Sequence, residues 1–287
     1  MSGDAGLRDA DLYCRRLLRH YENFTVASKL APRHVRRHLT RIYAFCRTTD
    51  DLGDETGDRE QALQLLTAWR ERVSATFDEI TQRDPVLRAL SATVRECSLD
   101  RTPFLDLIDA NLQDQSVSSY ADWAALHGYC VRSAAPVGRM VLRVFGVDDE
   151  RALSLSDDVC IGLQLANFVQ DVSVDASRGR VYLLQEDVRR LGEVGATRAM
   201  AQRARTLLQS GRELEGMVGG RLRLQLALYR CGGEAILDAV AACGHDTRRR
   251  RPVVTSTARL RVLRRALAAS LSVGRSRSGA VPVARNG

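Results

Sequence analysis

The chain has 287 residues, 45% of them hydrophobic, 27% charged and 5% aromatic, and it carries a net charge of +8. That length allows a core deep enough to enclose a ligand, and the Leu, Ala and Arg bias with few aromatics favours helices over strands. Seven scattered cysteines with no Cys-x-x-Cys pair exclude a disulfide framework or a zinc ribbon and suit reduced, cytoplasmic thiols.

The positive charge is almost all arginine, since Lys29 is the only lysine. A basic surface fits anionic partners such as diphosphates or anionic lipid. No basic element has the interleaved aromatics of single-strand binders, so no nucleic acid is expected. The acidic start, Met1 to Leu12, does not read as a signal peptide, and no window reaches the roughly 18 apolar residues of a membrane span. Membrane contact is therefore expected only as a peripheral one.

Residues 8–20 predict a short amphipathic helix, and Glu22 to Ser28 a break. Pro32 suits a first turn, so a helix is expected from residue 33 until Gly53 and Gly57 end it. His34 and His38 on that helix have i,i+4 spacing but no evident third ligand, which argues against zinc. Helical patterns follow over 58–82 and 85–98, then after Thr102-Pro103. Residues 119–145 read as one long helix bent at Pro136-Val137-Gly138, where Ser133, Ala134, Ala135 and Gly138 either leave room for something bulky or pack closely.

A further helix is expected from about 149 to 177, then a loop, Arg178 to Leu183, and helices over 195–218, 221–243 and 256–272. Arg248 to Arg251 form a basic run, solvated or facing anionic lipid. The expected organisation is a single all-α domain over 1–273, with 274–287 as a disordered basic tail.

Two stretches carry the chemistry. In the first, Tyr43 to Glu55, Asp50 and Asp54 share one helical face with Asp51 beside them. In the second, Asn167, Asp171 and Asp175 form a single stripe. Acids at helical spacing are usually a solvated face, but these adjoin Ile42, Phe45 and Leu52, or Leu165, Phe168 and Val169. Oxygen-only ladders suit a hard divalent cation shared with a substrate phosphate. Arg178 and Arg180 flank Gly179 just beyond, placed to hold that phosphate through forked donors.

Tyr43-x-Phe45-x-Arg47-x-x-Asp50-Asp51-x-x-Asp54 resembles the first aspartate-rich motif of the squalene and phytoene synthases, the head-to-head prenyl synthases. Gln164-x-x-Asn167-x-x-x-Asp171-x-x-x-Asp175 with Gly179-Arg180-x-Tyr182-Leu183 resembles their second. The resemblance implies an all-α isoprenoid-synthase bundle around a central cavity. It implies Asp50, Asp54, Asn167, Asp171 and Asp175 as ligands of Mg²⁺, or Mn²⁺ in its place, with Asp51 in support. Tyr43, Arg47, Arg180 and Tyr182 would contact diphosphate, and Gln164 and Tyr129 would line the cavity.

The departures carry information. Gln170 stands where most members have arginine, Val174 where they have glutamate, and Tyr21 and Asn23 where two-substrate members have serines. With Glu22 to Ser28, these positions are most similar to the hydroxysqualene synthase branch of hopanoid biosynthesis. That likeness implies presqualene diphosphate as substrate, Gln170 among the residues around it, no NADPH, and other hopanoid-pathway enzymes as partners. The alternatives are a condensing squalene or phytoene synthase acting on two prenyl diphosphates and a non-catalytic assembly-factor relative.

Overall fold

The computed structural model describes residues 2–18, 31–78 and 82–276, with the side chains of 2–5 and 272–276 left aside. The predicted break at 22–28, the departures at Tyr21 and Asn23, and all of the predicted tail beyond Ser276 lie outside the described residues. Among those described the fold is all-α, with one isolated bridge, Ser119 to Val181.

Among the described residues the first five helices are α1 (Ser2–Leu17), α2 (Arg33–Asp54), α3 (Arg59–Ala75), α4 (Pro85–Cys97) and α5 (Thr102–Asp114). Next come α6 (Trp123–Ser133), α7 (Ala135–Val144), α8 (Glu150–Gln170) and the one-turn-and-a-half α9 (Val172–Ser177). The last described helices are α10 (Gln185–Met217), α11 (Gly220–Ala242) and α12 (Ser256–Ser276). Asp58, Asp84, Asp122 and Asp149 each cap a helix start through a side-chain oxygen, satisfying backbone donors that lack a partner in the first turn.

Two cores adjoin where α5 packs on α6 and α7 on α8. One gathers α1 to α5 and α7 around Phe45, Leu87, Leu90 and Phe104; the other gathers α6, α8, α10 and α11 around Leu126, Leu165, Val169 and Leu208. His38 belongs to the first core, where its Nδ1 lies 3.0 Å from the Thr93 hydroxyl and burial lowers its pKa to about 4. All seven cysteines are free thiols.

The predicted 119–145 helix is two helices, and the break falls at Ala134 rather than at Pro136-Val137-Gly138. The proline occupies the first turn of α7, where a missing N–H costs nothing. Close packing holds at Gly138, where a Cβ would lie 2.4 Å from the Ser156 Oγ and 2.6 Å from the Cys160 Sγ, so this glycine brings α7 and α8 together. Ala135 and Pro136 border a separate hollow of about 460 Å³.

The predicted 149–177 helix is also interrupted, at Asp171 (φ −103°, ψ 17°). The stripe survives this break, because Asp171 N–H donates to Asn167 O and Asp175 N–H to Asp171 O, both at 2.8 Å. The start of α10 lies ten residues earlier than the pattern suggests, with a non-helical step at Gly192.

Candidate active site

The last turns of α2 carry the first acidic motif into a cleft of about 670 Å³ lined by Arg47, Asp50, Asp51, Asp54, Arg178 and Arg180. Arg47 bonds Asp51 one turn on and reaches Glu55 at 2.8 Å. Asp50 borders the open cleft yet is ringed by protein. Burial raises its carboxyl to about 6, with Asp54 and Asp51 adding to the rise and the Asn111 hydrogen bond and Arg47 opposing it.

The loop after α9 brings the second motif to the first. Gly179 turns with φ of +73°, a conformation few other residues adopt at low cost. Val181 N–H then donates to Ser118 O at 2.7 Å, fixing the loop against the 118–120 segment. This holds Arg180 so that its Nη2 donates to Asp54 Oδ1 at 2.8 Å, a contact spanning 126 residues of sequence.

Asn167, Asp171 and Asp175 lie beside this cleft rather than in its lining. Asp175 shares a smaller hollow of about 160 Å³ with Phe168, Arg180, Tyr182 and Arg248, and burial followed by the neighbouring Asp171 raises its carboxyl to about 6. Asp171 is bound by Arg251 through two nitrogens. Arg180 thus borders both hollows.

The basic run is largely engaged. Besides Arg251 on Asp171, Arg248 bonds Glu193 at 3.0 Å and Arg249 lies 3.3 Å from Asp246. Gln170 is buried and donates its Nε2 to the Pro252 carbonyl at 2.9 Å. The residue in the place of the expected arginine therefore tethers the segment that delivers Arg251.

Tyr43 lies one turn deeper than Arg47, hydrogen-bonded to Tyr229 of α11, with Cys46 and Cys160 beside it. These side chains keep accessible surface although protein surrounds them, and burial pushes the Cys160 thiol up to about 12. Gln225 Nε2 donates to the Tyr229 Oη at 3.0 Å beside them. Gln164 is half-buried on α8.

Tyr129 and Tyr182 join an aromatic group with Tyr120 and Phe168, in which the Phe168 and Tyr182 rings stack at 3.8 Å. Tyr129 donates to Asp114 Oδ2 at 2.8 Å, and the buried Asp114 Oδ1 has no protein partner. Burial raises the Asp114 carboxyl to about 6, and Tyr129 and Arg180 hold the rise in check. Asp114 escaped the sequence reading because it ends α5 outside either motif. The one signal was an acid closing a helix whose inner face is apolar.

Among the described residues no three acids, histidines or cysteines converge as a ready-made metal cage. The donors are nevertheless hard oxygens in excess, and Asp50 and Asp175 have carboxyls raised in part by neighbouring carboxylates. An open set of this kind fits Mg²⁺, which keeps its waters and takes one or two carboxylates plus phosphate oxygens.

The family model described as Squalene/phytoene synthase matches residues 17–258. A presqualene diphosphate synthase of Rhodopseudomonas palustris is 33% identical over 171 residues, which is 59% of this chain and 61% of that one. The chain thus spans about three fifths of the length of this curated relative. Phytoene synthase 3 of Zea mays is 31% identical over 96% of this chain and 70% of its own. Among solved structures, the squalene synthase HpnC of Alicyclobacillus acidocaldarius is 42% identical with a TM-score of 0.79, covering 83% of this chain and 95% of that one. A dehydrosqualene synthase shares the fold at a TM-score of 0.82 and 21% identity, covering 94% of this chain and 99% of that one. The match over most of the length, with Arg180 joining the loop after the second acidic motif to Asp54 of the first, makes this chain a member of the squalene/phytoene synthase family.

Proposed function

We propose that the protein ionises presqualene diphosphate and captures the rearranged cation with water, releasing hydroxysqualene and diphosphate. The observation that carries this reading is the state of Gln170. Its amide is spent on the Pro252 carbonyl, so this position offers no cation to a second diphosphate. The remaining cradle of Arg47, Arg178 and Arg180 suits one leaving group.

In this reading the C–O bond breaks and diphosphate leaves with the electron pair. Asp50, Asp54, Asn167, Asp171 and Asp175, with Asp51 in support, would hold Mg²⁺, which would supply Lewis-acid neutralisation of the departing charge. Arg47 and Arg180 exchange their carboxylate partners for diphosphate oxygens, donors aimed where charge develops. In this reading the apolar surroundings of Tyr43, Cys46 and Cys160 shelter the carbocation, and Gln164, Tyr129 and Tyr182 are assigned to contact the substrate. Water adds to the cyclopropylcarbinyl-derived cation, and the proton it loses has an acceptor in the released diphosphate. No hydride is consumed, so NADPH has no role.

A second reading, condensation of two prenyl diphosphates, is favoured by the names of the Rhodopseudomonas and maize relatives. Mass spectrometry of products decides between them. Hydroxysqualene from presqualene diphosphate, equal with and without NADPH, lost with a chelator and restored by Mg²⁺ or Mn²⁺, is the expected result. Efficient formation of presqualene diphosphate or phytoene from C15 or C20 diphosphates overturns it in favour of condensation.

A further inference from the structure

Helix α12 presents an apolar stripe that no described residue covers. Helix α12 packs on α11 through Val262, Ala266 and Ala269, which meet Ala227, Cys231, Leu224 and Leu228. Leu260, Leu263, Leu267 and Leu271 are 42 to 72% exposed, as is Val253 (62%) just before the helix. At 100° per residue the four leucines fall within an arc of about 80°, roughly opposite the packed face, and they run about 16 Å along the axis. A soluble helix needs one apolar face. This one has two.

Charge identifies the occupant. After Asp246 the sequence holds eleven arginines and no acid, so this segment carries +11 while residues 1–246 carry −3. Arg259 borders the leucine stripe on one side, and Arg261 and Arg264 on the other; all three are exposed and carry no ion pair among the described residues. Leucines in a single row between arginines form the pattern of a helix lying in the interface of an anionic bilayer, with apolar side chains below the headgroups and guanidinium groups among the phosphates. A protein partner with an acidic groove would want fewer leucines and fixed acid contacts; an apolar partner would be repelled by no charge and need no arginines.

We infer that α12 is a membrane-docking helix that seats the protein on anionic phospholipid. The docked helix leads directly, through Pro252 held by Gln170, to Arg251 on Asp171, so the lipid surface and the cleft mouth are joined by four residues of chain. The inference stands apart from the choice of prenyl diphosphate, since it concerns where the protein sits.

The test is flotation of the full chain with vesicles of phosphatidylcholine alone and of phosphatidylcholine with phosphatidylglycerol, at low and high salt, without substrate. Wild-type protein should float with the anionic vesicles, do so about tenfold less with neutral ones, and be released by salt. The double variant Leu263→Glu, Leu267→Glu should lose flotation while keeping its melting temperature, because both positions are exposed. Arg261→Gln with Arg264→Gln should bind roughly tenfold more weakly and with less salt dependence. Equal flotation of wild type and the Leu263→Glu, Leu267→Glu protein overturns the inference. So does a wild-type dimer in size exclusion that this variant abolishes without any vesicle binding, an outcome that assigns the stripe to a second copy.

Discussion

Two groups of acid–arginine pairs contrast, one at the cleft mouth and one in the interior of the C-terminal bundle. At the mouth, Arg47 meets Asp51 and Glu55, Arg180 meets Asp54, and Arg251 meets Asp171, all with at least one partner open to water. Inside, Arg230 lies between Glu215 and Glu234, all three buried, and Arg265 closes the network from α12. The groups are the same and their environments differ. A solvated pair contributes up to about 1 kcal/mol, so the mouth arginines can trade their carboxylates for another anion at little expense. A desolvated pair loses far more when one member goes, because the other is left charged and unpaired. Exchangeable contacts thus sit where a substrate arrives, and fixed ones where helices must not separate.

The largest expected effect belongs to the mouth. Asp50→Asn should lower turnover by at least about a thousandfold, equivalent to about 4 kcal/mol of barrier, while the melting temperature stays level or rises because a penalised carboxylate is gone. Product formation and calorimetry on the same preparation check this. A large fall in melting temperature would show that the mouth is structural too, and the contrast would collapse.

Glu215→Ala tests the other side. It should cost about 3–4 kcal/mol in urea unfolding, and Glu215→Leu combined with Arg230→Met should recover most of it. Arg251→Gln should fall between, lowering turnover about tenfold, or about 1.4 kcal/mol, with less than about 1 kcal/mol lost in stability. Steady-state rates and urea melts of this variant locate Arg251 on one side of the divide.

The smallest expected effect sharpens the role of Asp114. Its folded pKa, about 6, lies above the ordinary 3.8, because burial penalises the ionised form. That penalty is present in full above pH 6 and disappears as pH falls toward 3.8, where folded and unfolded chains are both protonated. Asp114→Asn should therefore be more stable than wild type by about 1 kcal/mol at pH 8, and level with it near pH 4. Thermal melts at the two values read the difference.

The helical class and most helix starts were legible, because composition, capping acids and first-turn prolines act locally. The Asp171 interruption was not, since no glycine or proline announces it and the break is made by packing at the helix end. Pro136 misled for the opposite reason: the same ring that bends a helix interior opens a helix when it falls in the first turn. The two acid stripes were readable from spacing alone, whereas the hydrogen bond from Arg180 to Asp54 depends on a chain reversal at Gly179. Asp114 and Arg251 reach the site only through tertiary packing. Arg251 in sequence is one of four equal arginines, and what distinguishes it is that Pro252 beside it is held by Gln170. The exposed leucines of α12 follow a helical period as faithfully as buried ones, so periodicity could not say which face is covered.

The Arg180 to Asp54 contact also orders events during synthesis. The buried residues of the first core all lie within 10–144, so they leave the ribosome before Arg180 does. A nascent chain at that stage has Arg47 for Asp51 but not the guanidinium that meets Asp54, and a contact of such long range closes late. The mouth therefore matures only once α8 to α11 have docked, and a chain stalled or truncated before that point is compact but carries half a site.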